Sequence, residues 1–202
     1  MHMDDLEQLV DLARRAVAAT LAAVGRSIDQ TRPTPCAGWD VGGLMAHMTV
    51  QQHGFARAVA GAQTAVADWE PRRAAGAPEA VDAYADACAQ VLAAFAAVRD
   101  PAAPVLLPEI RDEPVPAGTA IGFHLVDNVV HAWDTAASLG RDVDLDDDVL
   151  GAALVVARLV PDGAERSRPG AAFAPGRPAV SGSAPLDEIL LLLGRDPSWA
   201  AA

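Results

Sequence analysis

Apolar residues recur at Leu6, Leu9, Val10, Ala13, Val17, Leu21 and Val24, a spacing of three and four that predicts a helix over 4–25. The loop SIDQTRPTPCAGW follows, broken by two prolines. Asp40 stands where an N-cap belongs, ahead of a helix over about 41–61 that ends at Gly61. Residues 62–77 read as a loop, and a third helix starts near Pro78 or Glu79 and runs to about Arg99. The proline-broken segment DPAAPVLLPEIRDEPVPAG contains one stretch, VLLPEI, that could be extended. A fourth helix spans about 118–139 and stops before Gly140. The acidic run DVDLDDDVL leads into a fifth, about 146–160, with carboxylates where a helix dipole favours them. It lacks the central glycine and terminal glutamate of an EF-hand loop, so a solvated helix start is the better reading. Residues 161–182 read as irregular, and a short helix of about 184–194 follows. The expected architecture is all-α: one domain over 1–202, with a four-helix bundle over about 4–139 and a C-terminal helical extension over about 140–202.

Composition fits that picture. Hydrophobic residues make up 51% of the chain and aromatic ones 4%, as expected where small side chains let helices approach closely. The formal net charge is −12, a field that repels phosphate backbones and anionic lipid, so no nucleic acid is expected as a partner. Every basic residue is arginine, a coding bias that points to a GC-rich bacterium. No uncharged apolar run reaches the roughly 18 residues of a membrane span. The start MHMDDLEQLV lacks the basic and apolar regions of a signal peptide. A cytoplasmic protein with Cys36 and Cys88 as reduced thiols is expected, and a homodimer through bundle helices is compatible with the pattern.

The chemistry concentrates in HLVDNVVHAW, residues 124–133. At about 100° per residue, His124, Asp127 and His131 share one helical stripe roughly 60° wide. Asp127 and His131, four apart, reach the same point above the helix, where they can bond each other or share a metal ion. His47, two turns into the second helix and flanked by Leu44, Met45 and Met48, is the obvious third donor. Alone it reads more readily as a core histidine with a backbone or water partner. Three nitrogen and oxygen donors leave positions open, as in catalytic sites. Zinc is the default metal, and nickel, iron or cobalt accept the same donors.

Other residues carry competing readings. His124 could be a fourth ligand, a hydrogen-bond partner of Asp127, a general base, or a helix-start histidine near solvent. Gln51, four after His47, could orient a metal-bound water or a substrate group. His53 should point elsewhere. Cys36 reads better as a packed thiol than as a nucleophile. Trp39 and Trp133 should lock helix ends, with Asp134 as a buried hydrogen-bond acceptor. Arg57, Arg72, Arg73 and Arg111 could meet the carboxylates of an anionic ligand, although surface arginine is the default.

TPCAGWDVGGLMAHM (34–48), HLVDNVVHAWDTA (124–136) and LLGRDPSW (192–199) together resemble the actinobacterial branch of the DinB/YfiT-like proteins. Within it the pattern is most similar to the mycothiol-dependent maleylpyruvate isomerase N-terminal domain family. The resemblance implies a DinB-like four-helix bundle and a divalent metal on His47, Asp127 and His131. It implies a low-molecular-weight thiol such as mycothiol as co-substrate, with the metal activating its sulfur for S-transfer to, or isomerisation of, an electrophilic small molecule. Asp127 stands where the isomerase pattern has Glu, one methylene longer. Only about sixty residues follow the fourth helix here, where that enzyme has a further domain, so its substrate does not carry over. Two other functions stay open: a hydrolase or lyase working through metal-bound water, with His124 or Gln51 placing it, and a non-catalytic metal- or ligand-binding module.

Overall fold

The computed structural model describes residues 3–36, 38–168, 171–178 and 182–201. Four long helices carry the fold: α1 (Met3–Val24), α2 (Val41–Val59), α3 (Ala77–Ala97) and α4 (Ala117–Leu139). Two short ones follow, α5 (Asp147–Ala157) and α6 (Pro185–Leu192). Helix α1 packs along α4 and α2 along α3, and the two pairs close into a bundle through α1–α3 and α2–α4 contacts. Helix α5 lies on α4 and α1, and α6 lies on α5.

The ends follow the local chemistry. The Asp40 side chain accepts from the Gly43 N–H at 2.9 Å and opens α2. Asp146 does the same for Val149 at 3.0 Å and opens α5, while its neighbours Asp147 and Asp148 fill the first turn. Asp146 and Asp148 also reach Arg15 on α1, tying the acidic run to the bundle. Gly140 ends α4 in the left-handed region at φ +63°. The neighbouring Arg141 donates to the C-terminal carbonyls of α1, Ala23 O and Val24 O, at 2.6 and 2.7 Å. Of VLLPEI only Val105 is in a strand: Pro104–Val105 (β1) pairs antiparallel with Val115–Pro116 (β2), and 108–110 form a turn closed by Ile110 N–H on Leu107 O.

Three apolar clusters fill the interior. One, around Phe55, Trp69, Phe95, Leu107 and Ile121, sits under the β1–β2 connection. A second joins α1 and α4 to α5 and α6 through Leu12, Val129, Leu150 and Ile189. The third, with Val17, Leu44, Met48 and Tyr84, lies between α1, α2 and α3. Helix α3 has the length and composition to cross a membrane. It carries Asp82 and Asp86, and it buries Tyr84, Cys88, Val91 and Phe95 in the bundle.

Candidate metal centre

The site begins in the loop before α2. Thr34 Oγ1 donates to Trp39 O at 2.9 Å, and Val41 N–H donates to Arg32 O at 2.9 Å. The loop is thereby folded against the start of α2. That fold brings the Trp39 ring to 4.6 Å from the His47 ring, centroid to centroid. From the facing helix α4, the His131 ring meets His47 edge-on at 5.1 Å. His131 Nε2 lies 3.3 Å from Asp127 Oδ1, one turn back on α4. One donor atom from each of His47, Asp127 and His131 falls within 4.8 Å of the others. Among the described residues the ring nitrogens of His47 have no hydrogen-bond partner in the protein.

Electrostatics follow from burial and proximity. Burial, aided by the charge of His131, lowers the pKa of His47 to about 4, so its ring is neutral and has a lone pair to offer. Burial alone would raise Asp127, but the charge and hydrogen bond of His131 override it and lower Asp127 to about 2. Burial opposes a charge on His131 too, yet Asp127 and Asp134 on either side push its pKa up. His131 and Asp127 thus form a charged pair, with the neutral His47 ring edge-on beside it. Two imidazoles and a carboxylate that converge on one point, with one imidazole otherwise unpartnered, fit a divalent cation.

His131 has a second neighbour. Its Nδ1 lies 3.0 Å from Asp134 Oδ2, and Asp134 is fully buried. Arg195, from the segment after α6, donates to both oxygens of that carboxylate, Nε to Oδ1 at 3.3 Å and Nη2 to Oδ2 at 3.1 Å. The Cys36 thiol donates to Asp134 Oδ2 at 3.1 Å and accepts from Arg195 Nη2 at 2.9 Å. Burial, then the Asp134 charge, raise the thiol pKa, which suits a packed cysteine rather than a nucleophile.

The trio lies in the wall of a cleft of about 1410 Å³, which Trp39, Gln51, Phe55, Glu109, Phe123 and Phe173 also line. Gln51 is buried and donates through Nε2 to Glu109 at 2.6 Å. His124 is placed elsewhere. It is fully buried and absent from the cleft wall. Its Nε2 pairs with Gln52 Oε1 at 2.6 Å, and its ring lies edge-on to Phe55 and Phe95. Asn128, bonded to His124 O and to Gln52, completes that network. No hydrogen bond joins His124 to Asp127 among the described residues, and its surroundings are core rather than solvent. His53 does not line the cleft. Of the four candidate arginines only Arg111 does, while Arg57 pairs with Asp68 and Arg73 with Asp40. Sequence reasoning missed Glu109, Asn128 and Arg195. The single asparagine of the chain, inside an apolar helix, was a signal for the second of these.

The chain belongs to the mycothiol maleylpyruvate isomerase N-terminal domain family, whose model matches residues 10–136. Uncharacterised proteins from two strains of Mycobacterium tuberculosis are 32% identical to it over 186 residues, covering 91% of this chain and 93% of theirs. The crystal structure of the mycothiol-dependent maleylpyruvate isomerase superposes with a TM-score of 0.56, at 17% identity over 75% of this chain and 69% of that one. A variant of that enzyme with one histidine replaced by alanine gives 0.61 at the same identity and coverage. At that identity the likeness is one of fold, the all-α DinB-like bundle.

Proposed function

We propose that this protein is a divalent-metal-dependent enzyme that uses a low-molecular-weight thiol, of the mycothiol kind, to transfer sulfur to or isomerise an electrophilic small molecule. One observation carries the reading: donor atoms of His47, Asp127 and His131 converge within 4.8 Å in the wall of a large cleft, in a chain of this family. His47, Asp127 and His131 would hold the metal. A divalent cation there supplies a Lewis acid that lowers a thiol's pKa and keeps it a thiolate at neutral pH. The chain's own residues prepare the surroundings. Asp134 orients the His131 ring through Nδ1. Trp39, Phe55, Phe123 and Phe173 give the cleft apolar walls that exclude water from an electrophile. Gln51 and Glu109 provide an amide and a carboxylate for the polar end of a substrate.

The test is to titrate mycothiol into cobalt-loaded protein and to assay a panel of electrophiles, including maleylpyruvate, with and without metal. The reading predicts a thiolate-to-cobalt absorption band and thiol-dependent turnover that chelation abolishes. Thiol transfer that survives metal removal, or no turnover across the panel, rejects it. A second reading, hydrolysis or elimination without a thiol, is favoured by one observation. Glu109 sits in the cleft wall on Gln51, where it could take a proton from water. It predicts metal-dependent turnover with no thiol added.

A further inference from the structure

We infer that Arg195, in the segment after α6 and outside the residues that match the family model, is a positioning residue of the metal centre: through Asp134 it fixes the tautomer of His131 and so sets how tightly metal is held. The inference rests on the metal reading above.

Asp134 is the link between the arginine and the ligand. A carboxylate fully removed from water is costly unless paired. Its first partner is His131 Nδ1. A histidine that gives its Nε2 lone pair to a metal is neutral, so it offers Asp134 one N–H and no net charge. The remaining negative charge then needs another cation. Arg195 supplies it with a two-point fork, Nε to Oδ1 and Nη2 to Oδ2, and is itself 8% exposed. With that fork in place both oxygens of the carboxylate accept from Arg195, and Oδ2 also accepts from His131. With a metal bound, His131 would then carry its proton on Nδ1 and leave the Nε2 lone pair, on the side where Asp127 lies 3.3 Å away, for the ion. Without the fork, the buried carboxylate would lose both its cation and its two-point anchor, and the His131 ring would lose the fixed acceptor that holds its Nδ1 side.

The tail is built to deliver this arginine. Gly194 at φ +80° runs so close to Ala174 that a Cβ there would lie 2.6 Å from the Ala174 carbonyl oxygen. Arg195 N–H donates to Leu190 O at 2.8 Å, Asp196 pairs with Arg177 at 2.8 Å, and the buried Arg166 donates to Leu192 O at 2.7 Å. These bonds fasten the segment after α6 over the end of the site, so the extension completes the surroundings of a ligand on α4.

The experiment measures zinc affinity by chelator competition and metal-free melting temperature for wild type, Arg195→Met, Arg195→Lys, Asp134→Asn and the double variant Arg195→Met/Asp134→Asn. Losing such an outer partner typically weakens metal binding by about 10–100-fold. Arg195→Met should fall in that range, Arg195→Lys, which restores the charge but not the fork, should recover only part of the affinity, and the double variant should bind no worse than Asp134→Asn alone. Ring-nitrogen NMR of zinc-loaded wild type should show the His131 proton on Nδ1, a readout that needs no variant. Wild-type affinity in a folded Arg195→Met protein, additive losses in the double variant, or a proton on Nε2 would overturn the inference alone. Wild-type protein that holds no zinc would overturn the metal reading and this inference with it.

Discussion

His124 gives the sharpest stability prediction, because the sequence allows it a place in the chemistry and the structure puts it in the core. Its ring is fully buried between Phe55 and Phe95, with Gln52 and Asn128 as polar partners. Burial lowers its pKa from 6.5 to about 4, against a weaker upward pull from Asp127. In the unfolded chain the ring titrates near its ordinary value. Between those two values the unfolded state holds a proton that the folded state refuses, so stability rises with pH across that window. The contribution is intact above about 6.5 and is lost as pH falls toward about 4. At about 1.4 kcal/mol per unit, the loss is on the order of 3 kcal/mol, a large share of a typical domain's stability. The perturbation is His124→Gln, which keeps polarity but cannot titrate. The assay is urea unfolding of chelator-treated protein at several pH values from 7.5 to 4.5. Wild type should lose stability steeply below about 6.5, and the variant should be weaker at neutral pH but flatter by roughly 3 kcal/mol over the window. Equal slopes for the two proteins would refute the placement of a neutral, buried His124.

Three further outcomes follow from the packing and the cleft. Gly54→Ala should destabilise the fold by about 1–3 kcal/mol despite alanine's better helix propensity, because its Cβ would lie 2.4 Å from the Trp69 ring; thermal melts check this, and a rise in melting temperature would contradict it. Arg141→Ala should cost about 1–2 kcal/mol in denaturant unfolding by leaving the carbonyls of Ala23 and Val24 uncapped. Gln51→Ala should leave metal content unchanged while lowering turnover of whichever substrate is found, since Gln51 holds Glu109 and is not among the ligands proposed; loss of metal in that variant would show a different role.

Much of the fold was legible because its signals are local. Gly140 after a long apolar stripe placed the end of α4, and Asp40 before Val41 placed the start of α2. The α2 end came two residues early, at Val59, because Gly61 sits in the turn beyond the helix rather than on its last turn. The convergence of His47, Asp127 and His131 could be anticipated from helical spacing and from the family pattern. His124 shows where that reasoning stops. A helical wheel places His124 and His131 on nearly the same stripe, but seven residues also advance about 10 Å along the axis. At that depth the facing side chains are Gln52 and Phe95 rather than His47. The contacts of Glu109 and Arg195 were illegible for another reason, although the LLGRDPSW motif contains Arg195. Each reaches the site from a loop or tail distant in sequence, where no periodicity links it to the helix it touches.

Elemental analysis of purified wild type beside His47→Ala decides whether His47, Asp127 and His131 form a metal centre. About one equivalent of zinc or another divalent metal is expected in the wild type, and its loss in a variant that still folds. No metal in the wild type even after soaking with divalent cations, or full retention in His47→Ala, would contradict it and leave a buried hydrogen-bond cluster in its place.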